Sequence, residues 1–167
     1  RIVDDVASRR DQAVLEWARQ LGDLPAHDDS SQLGSENVQC LDRSALHDAY
    51  SQIDGETQAL LNRSVDRVKG FALAQRAALS DLERPIPGGM AGHEVAPVDV
   101  AGCYAPGGRF PLPSSVIMTA VTARAAEVGT VWVASPKPTI ETLAAAHVAG
   151  ADGVLPIGGA QAIAAMA

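Results

Sequence analysis

Apolar residues recur at helical spacing through the first half of the chain. Their repeats predict one amphipathic helix over residues 1–21, a polar loop over residues 23–37, a short helix over residues 44–53 capped by Ser44, and a long helix over residues 56–82. The predicted buried faces consist of Val3, Val6, Ala13, Val14, Trp17 and Leu21 in the first helix and Leu61, Val65, Val68, Ala72 and Leu79 in the long one.

The pattern changes near residue 88, where Pro and Gly cluster. Short apolar runs then alternate with helical stretches, which predicts an α/β unit built on a parallel sheet with helices on its faces. We therefore predict a helical N-terminal segment over residues 1–88 and an α/β unit over residues 89–167. The predicted strands cover residues 93–96, 98–104, 130–134 and 153–157, and the predicted helices cover residues 114–128, 139–149 and 159 onward.

Composition narrows the class of protein. With 47% hydrophobic and only 4% aromatic residues, the 167-residue chain resembles a typical α/β domain. A net charge of −7, without a basic cluster interleaved with aromatic residues, argues against nucleic-acid binding. Its apolar stretches are too short to cross a membrane and its N-terminus lacks a signal-peptide pattern, so we expect a cytoplasmic protein. The chain starts without Met and ends inside a predicted helix, which indicates a piece of a longer protein.

Candidate ligand chemistry lies in the loops that follow the predicted parallel strands. Ligands bind beyond the carboxyl ends of such strands, where helix N-termini present free N–H groups. In the first loop, Gly107 and Gly108 allow close backbone approach and Pro106 restricts the chain. Neither a dinucleotide fingerprint nor a P-loop is present, so a ligand contact and a simple turn both remain open. The loops cover residues 104–113, 135–138 and 158–161.

Three motifs, in this order, resemble the histidinol dehydrogenase family. The segment around Arg10 is also similar to the family's opening helix, so the resemblance covers nearly the whole chain. It implies that residues 89–167 form the first half of an incomplete, Rossmann-like NAD-binding domain. The motifs are Gly102-Cys103-Tyr104-Ala105-Pro106-Gly107-Gly108, Pro113-Ser114-Ser115-Val116-Ile117-Met118 and Gly158-Gly159-Ala160-Gln161-Ala162-Ile163-Ala164-Ala165.

The resemblance also implies an activity. Family members are homodimeric, zinc-containing enzymes that use NAD to oxidise the alcohol L-histidinol through an aldehyde to L-histidine. By position, Tyr104 and Gln161 match residues that contact NAD, and the turn formed by Pro106, Gly107 and Gly108 would lie against the cofactor. From the residues alone, Tyr104 packing over the sheet end and Gln161 capping its own turn remain alternatives.

No catalytic or metal-binding residue is assigned within this chain. The family's zinc ligands and Glu-His proton-transfer pair follow the Gly158–Gln161 motif in the sequence, so we expect these 167 residues alone to be catalytically silent. The histidines have no metal-ligand spacing, and the two cysteines are expected to be free thiols. The histidines are His27, His47, His93 and His147, and the cysteines are Cys40 and Cys103.

One departure from the family pattern leaves the substrate open. Arg109 follows the Pro-Gly-Gly turn, and the sequence after Met118 differs from the common version. Both features are similar to a branch that includes sulfopropanediol dehydrogenases, which also oxidise an alcohol with NAD. Arg109 as the partner of an anionic group and Arg109 as a solvated loop residue both remain open. A nucleotide-binding module without catalysis is the further alternative.

Overall fold

A computed structural model of the chain describes residues 1–24, 38–107 and 110–167. It confirms a mixed α/β fold. The described helices are α1 (Ile2–Arg9), α2 (Asp11–Gln20), α3 (Arg43–Gln52), α4 (Gly55–Ala77), α5 (Pro113–Ala125), α6 (Ile140–Val148) and α7 (Gly159–Met166). The described strands are β1 (Leu41–Asp42), β2 (Leu82–Ile86), β3 (Gly89–His93), β4 (Val100–Tyr104), β5 (Thr130–Ala134) and β6 (Gly153–Leu155). Most of the predicted loop over residues 23–37 lies outside the described residues.

The main sheet has the strand order β1-β6-β5-β4. Strands β4, β5 and β6 are parallel, as predicted, and β1 adds an antiparallel edge. Tyr104 pairs in register with Ala134, and Ala134 pairs with Leu155. Because the three parallel strands end at the same level, the loops that follow them leave from one edge of the sheet. We call this the carboxyl edge.

Helices cover both faces of the sheet, and successive residues of a strand pack against helices on opposite faces. Val131, Val133 and Val154 are fully buried on the face that packs against α5 and α6, with α3 and α4 in the layer behind. On the other face, Ala134 and Ile157 pack with residues of α1, α2 and α7. The apolar residues of α5 form one stripe that is buried throughout, and this α5 stripe consists of Val116, Ile117, Ala120, Val121 and Ala125.

The predicted first helix is wrong in one respect, because the chain turns at Arg10 and forms α1 and α2 instead. Arg10 has a φ of 51°, a conformation that breaks helical hydrogen bonding. Two bonds hold the helices together: Asp5 accepts from the indole of Trp17 at 2.8 Å, and Arg9 donates to Glu16 at 2.8 Å. Since the turn gives the two helices different faces, Val3 and Leu21, predicted as buried, are exposed.

The predicted cap and end of the next helices also need correction. Asp42, not Ser44, caps α3, because its carboxylate accepts from the Ala45 N–H at 3.0 Å. Helix α4 runs unbroken but ends at Ala77, so Leu79 is exposed rather than part of the buried face. The chain beyond α4 forms a pair of strands instead.

That strand pair is a β-hairpin formed by β2 and β3. Gly88 makes the turn with a φ of 89°, and Gly92 must lack a side chain because a Cβ there would collide with the carbonyl oxygen of Leu82. The strand predicted over residues 93–96 is wrong, since β3 ends at its first residue. The hairpin spans the boundary predicted between residues 88 and 89, and the division into two domains stays a prediction.

Candidate functional site at the carboxyl edge

Tyr104 joins the first and third predicted loops. It is the last residue of β4, and its half-buried ring packs among residues of the α1, α2 and α7 side of the sheet. Its hydroxyl oxygen accepts a hydrogen bond from the Gly159 N–H at 3.1 Å. A tyrosine hydroxyl that accepts one bond still has its own proton to donate. Tyr104 therefore packs over the end of the sheet, which was one of the two alternatives, and its hydroxyl group can still donate a hydrogen bond to a ligand.

Two glycines let the loops close around Pro136, which lies in the second loop. A Cβ on Gly107 would lie 2.5 Å from Pro136 Cγ, and a Cβ on Gly158 would lie 2.7 Å from Pro136 Cβ. Any larger residue at either position would push the loops apart. All three predicted loops therefore meet at one point of the carboxyl edge. Gly108 and Arg109, which the sequence places beside them, lie outside the described residues.

A cavity of about 240 Å³ opens between the first and second loops, with Asp23 also on its wall. This is smaller than the roughly 300–1,000 Å³ of complete small-molecule sites. It has room for only part of the ligand that such a site would hold. Lys137, which has a φ of 46°, brings a positive charge to the wall, and Asp23 brings a negative one. The lining also includes Pro106, Gly107, Phe110, Ser135 and Thr142.

Gln161 lies beneath the third loop instead of on its surface. The side chain is fully buried, and its amide nitrogen donates to Asp23 Oδ2 at 3.3 Å. Its amide oxygen has no hydrogen-bond partner in the described part of the chain. A Cβ on Gly159 would lie 2.6 Å from that oxygen, so the glycine allows the loop to cover the amide. The Gln161 side chain makes no cap bond to α7, and its cofactor contact stays a prediction.

Asp23 is the site residue that the sequence analysis missed. Its Oδ2 accepts from the Gly158 N–H at 2.8 Å and from Gln161 Nε2. The pattern placed residue 23 at the start of a polar loop, where acidic residues are ordinary. Its partners lie 135 and 138 positions away, so no local signal in the sequence could reveal the contact.

The opposite edge of the sheet, here called the amino edge, is organised by Asp152. Its carboxylate accepts from the Val131 N–H at 2.7 Å, from Arg124 at 2.6 Å and from Arg43. Burial alone would raise the pKa of Asp152, but these hydrogen bonds together hold it below its ordinary value. Arg124 also donates to the carbonyl oxygens of Gly150, Val128 and Gly129 at 2.8, 2.9 and 2.7 Å. Because the carboxylate and both guanidinium groups are occupied by one another and by backbone groups, this arrangement is structural.

The described histidines and acidic residues do not assemble a metal centre. No group of three or more His, Cys, Asp or Glu in residues 1–24, 38–107 and 110–167 could hold a metal ion. The rings of His47 in α3 and His147 in α6 pack with their centroids 5.1 Å apart and their planes tilted by 59°. Burial, followed by the nearby His47, lowers the pKa of His147. His27 lies outside the described residues. None of the described helices is long and apolar enough to span a membrane.

Comparison with known proteins identifies related sequences. A family model described as "Histidinol dehydrogenase" matches residues 1–167. Histidinol dehydrogenase from Geobacter sulfurreducens is 36% identical over 99% of this chain and 38% of its own length. Sulfopropanediol 3-dehydrogenase from Ruegeria pomeroyi is 33% identical over 99% of this chain and 37% of its own length. The chain thus spans well under half the length of these curated relatives.

A solved structure supports the fold. The crystal structure of histidinol dehydrogenase from Elizabethkingia anophelis matches with a TM-score of 0.76, covering 99% of this chain and 37% of that one. At 20% sequence identity, this likeness establishes the shared fold alone.

Proposed function

Because this chain belongs to the histidinol dehydrogenase family, we propose that it forms the NAD-binding part of an enzyme that oxidises L-histidinol through the aldehyde to L-histidine. The hydrogen bond between Tyr104 and Gly159 is the observation that carries the proposal. It joins two motifs that are 55 residues apart at the carboxyl edge, where open parallel sheets bind their ligands.

The described residues fit a dinucleotide. The absence of side chains at Gly107 and Gly158 brings the loops together, and the buried amide oxygen of Gln161 has no hydrogen-bond partner in the part of the chain that the structure describes. In the proposed complex, the Tyr104 hydroxyl group donates a hydrogen bond to a ribose or phosphate oxygen of the cofactor. The backbone of the turn formed by Pro106, Gly107 and Gly108 lies against the cofactor. NAD supplies the hydride acceptor when it is bound.

In this proposal, the zinc ligands and the proton-transfer groups lie outside the described residues. The family resemblance implies zinc, but the described residues contain no ligand cluster for it. We therefore assign no zinc ligand and no catalytic residue in this chain. A homodimer and a cytoplasmic location are further proposals that rest on family membership.

A sulfopropanediol dehydrogenase is the second candidate. The Ruegeria pomeroyi relative is about as similar to this chain as the histidinol dehydrogenases are. Both activities oxidise an alcohol at the expense of NAD, so the same carboxyl edge serves either one. A nucleotide-binding module without catalysis is the third candidate.

The experiment is an assay of the full gene product that contains these 167 residues. NAD⁺ is supplied with L-histidinol or with sulfopropanediol, and NADH absorbance is followed. We expect reduction of NAD⁺ with L-histidinol. Reduction with sulfopropanediol alone would favour the second candidate, and binding of NAD⁺ without turnover of either alcohol would favour the module. Failure to bind NAD⁺ would contradict all three.

A further inference from the structure

Asp23 ties the end of the N-terminal helices to the third loop of the carboxyl edge. One carboxylate oxygen, Oδ2, accepts from both the backbone of Gly158 and the side chain of Gln161. The same residue lines the cavity between the first and second loops. It therefore contacts both the loop that forms the proposed nucleotide site and the space that the ligand would enter.

The backbone of Asp23 is itself firmly held. The N–H groups of Asp23 and Leu24 both donate to the carbonyl oxygen of Ala18, at 2.8 and 3.2 Å. Gly22 provides the left-handed residue of this helix end, with a φ of 77°. The carboxylate is thus carried on the rigid end of α2, and its position is set before any ligand binds.

The chemistry of a carboxylate decides how Gln161 is oriented. An ionised carboxylate can only accept hydrogen bonds, so the amide of Gln161 has to turn its nitrogen toward Asp23. Among the described residues, the amide oxygen is then the end left without a partner, and it is buried. It lies beneath Gly159 and is not part of the cavity lining, so Asp23 acts on a ligand through the position of the loop.

We propose that Asp23 is a positioning residue for nucleotide binding: by accepting from the Gly158 N–H and the Gln161 amide, it holds the Gly158–Gln161 loop in place beside the cavity. This inference rests on the proposed NAD site.

The test compares NAD⁺ affinity among variants of the full gene product. Asp23→Ala removes the acceptor, and we expect the dissociation constant to rise about tenfold or more, equivalent to about 1.4 kcal/mol. In Asp23→Asn the amide oxygen can take the place of Oδ2 and accept both bonds, so affinity should stay within about threefold of the original. Asp23→Glu keeps the charge but moves the carboxylate by one methylene, so affinity should fall.

Asp152→Ala is the matched control, since Asp152 also accepts a backbone N–H but lies at the amino edge. It should lower stability while leaving the NAD⁺ affinity of the folded protein unchanged. Isothermal titration calorimetry measures affinity, and circular dichroism establishes the folded fraction of each variant.

The outcomes separate this inference from the proposed function. Absence of NAD⁺ binding by the unaltered protein would overturn the proposed function and the role of Asp23 with it. Binding that is equally tight in the unaltered protein and in Asp23→Ala would overturn the role of Asp23 alone. If Asp23→Ala does not fold, the comparison of Asp23→Glu with Asp23→Asn decides. Weakened NAD⁺ binding by Asp23→Glu together with near-normal binding by Asp23→Asn supports the role of Asp23. Unchanged NAD⁺ binding by Asp23→Glu overturns it.

Discussion

The two edges of the parallel sheet each contain an aspartate that accepts a backbone N–H, but the two aspartates have different partners. At the amino edge, Asp152 is neutralised by Arg43 and Arg124. At the carboxyl edge, Asp23 meets a backbone N–H and the neutral amide of Gln161, whose oxygen is left without a partner in the described residues. The amino edge is saturated and stabilises the fold, whereas the carboxyl edge retains polar groups for a ligand.

Backbone packing at the two edges follows the same division. At the carboxyl edge, Gly107 and Gly158 face Pro136 so closely that neither position has room for a side chain. At the amino edge, the long side chain of Arg124 fills the space and donates hydrogen bonds to the carbonyl oxygens of Gly150, Val128 and Gly129. Substitutions at the two edges should therefore separate stability from ligand affinity.

The largest expected effect is on stability at the amino edge. Asp152→Ala removes the only carboxylate paired with Arg43 and Arg124 in the described residues, and Arg124 is mostly buried. The substitution should therefore lower the free energy of unfolding by about 3 kcal/mol. Urea denaturation measures the change. Asp66→Ala, in an exposed position of α4, is the control and should change stability by less than about 0.5 kcal/mol. Equal effects of the two substitutions would contradict the structural role of Asp152.

The next effect is on ligand affinity at the carboxyl edge. Gly158→Ala would place a methyl group against Pro136 and displace the loop, so NAD⁺ affinity should fall about tenfold, equivalent to about 1.4 kcal/mol. Gly70→Ala is the matched control, because a Cβ at Gly70 meets nothing within 4 Å. It should leave affinity unchanged and stabilise α4 by up to about 1 kcal/mol. Undiminished affinity in Gly158→Ala would count against the site.

A smaller effect is expected at Tyr104. Tyr104→Phe keeps the ring but removes the acceptor for the Gly159 N–H and the donor proposed for the ligand. The loss should cost about 1 kcal/mol, or roughly fivefold in NAD⁺ affinity. Titration with NAD⁺ measures it. An affinity equal to that of the unaltered protein would indicate that Tyr104 only packs against the sheet.

The smallest effect concerns acid stability. The pKa of Asp152 is lowered from its ordinary 3.8, so its contribution to stability is fully present above that pH and is lost as the pH falls through the folded-state pKa. Asp152→Asn removes this titration, and its unfolding free energy should decline less steeply in acid. Urea denaturation across a pH series measures the slope, and parallel curves would contradict the prediction.

The sequence predicted the parts of the fold whose burial is local and periodic. Strand β5 has the predicted bounds, and every residue of the α5 stripe is buried, because an element covered by the core carries an apolar pattern along its own length. The loops at the carboxyl edge could be located for the same reason, since they follow those strands.

The remaining features depend on interactions that no local pattern records. Arg10 breaks the first helix without a Gly or Pro to signal it. The hairpin was missed because Pro85 argues against a strand and its apolar side chains are exposed. Asp23 was missed because its contacts reach across most of the chain. Such features emerge only when distant segments pack together.

Hydrogen exchange of the full gene product, with and without NAD⁺, tests the contrast between the edges most directly. The ligand should slow amide exchange in residues 104–107, 135–139 and 158–161, at the carboxyl edge, and leave residues 128–131 and 150–152, at the amino edge, unchanged. Protection confined to the amino edge, or no protection at either edge, would contradict the assignment of the nucleotide site.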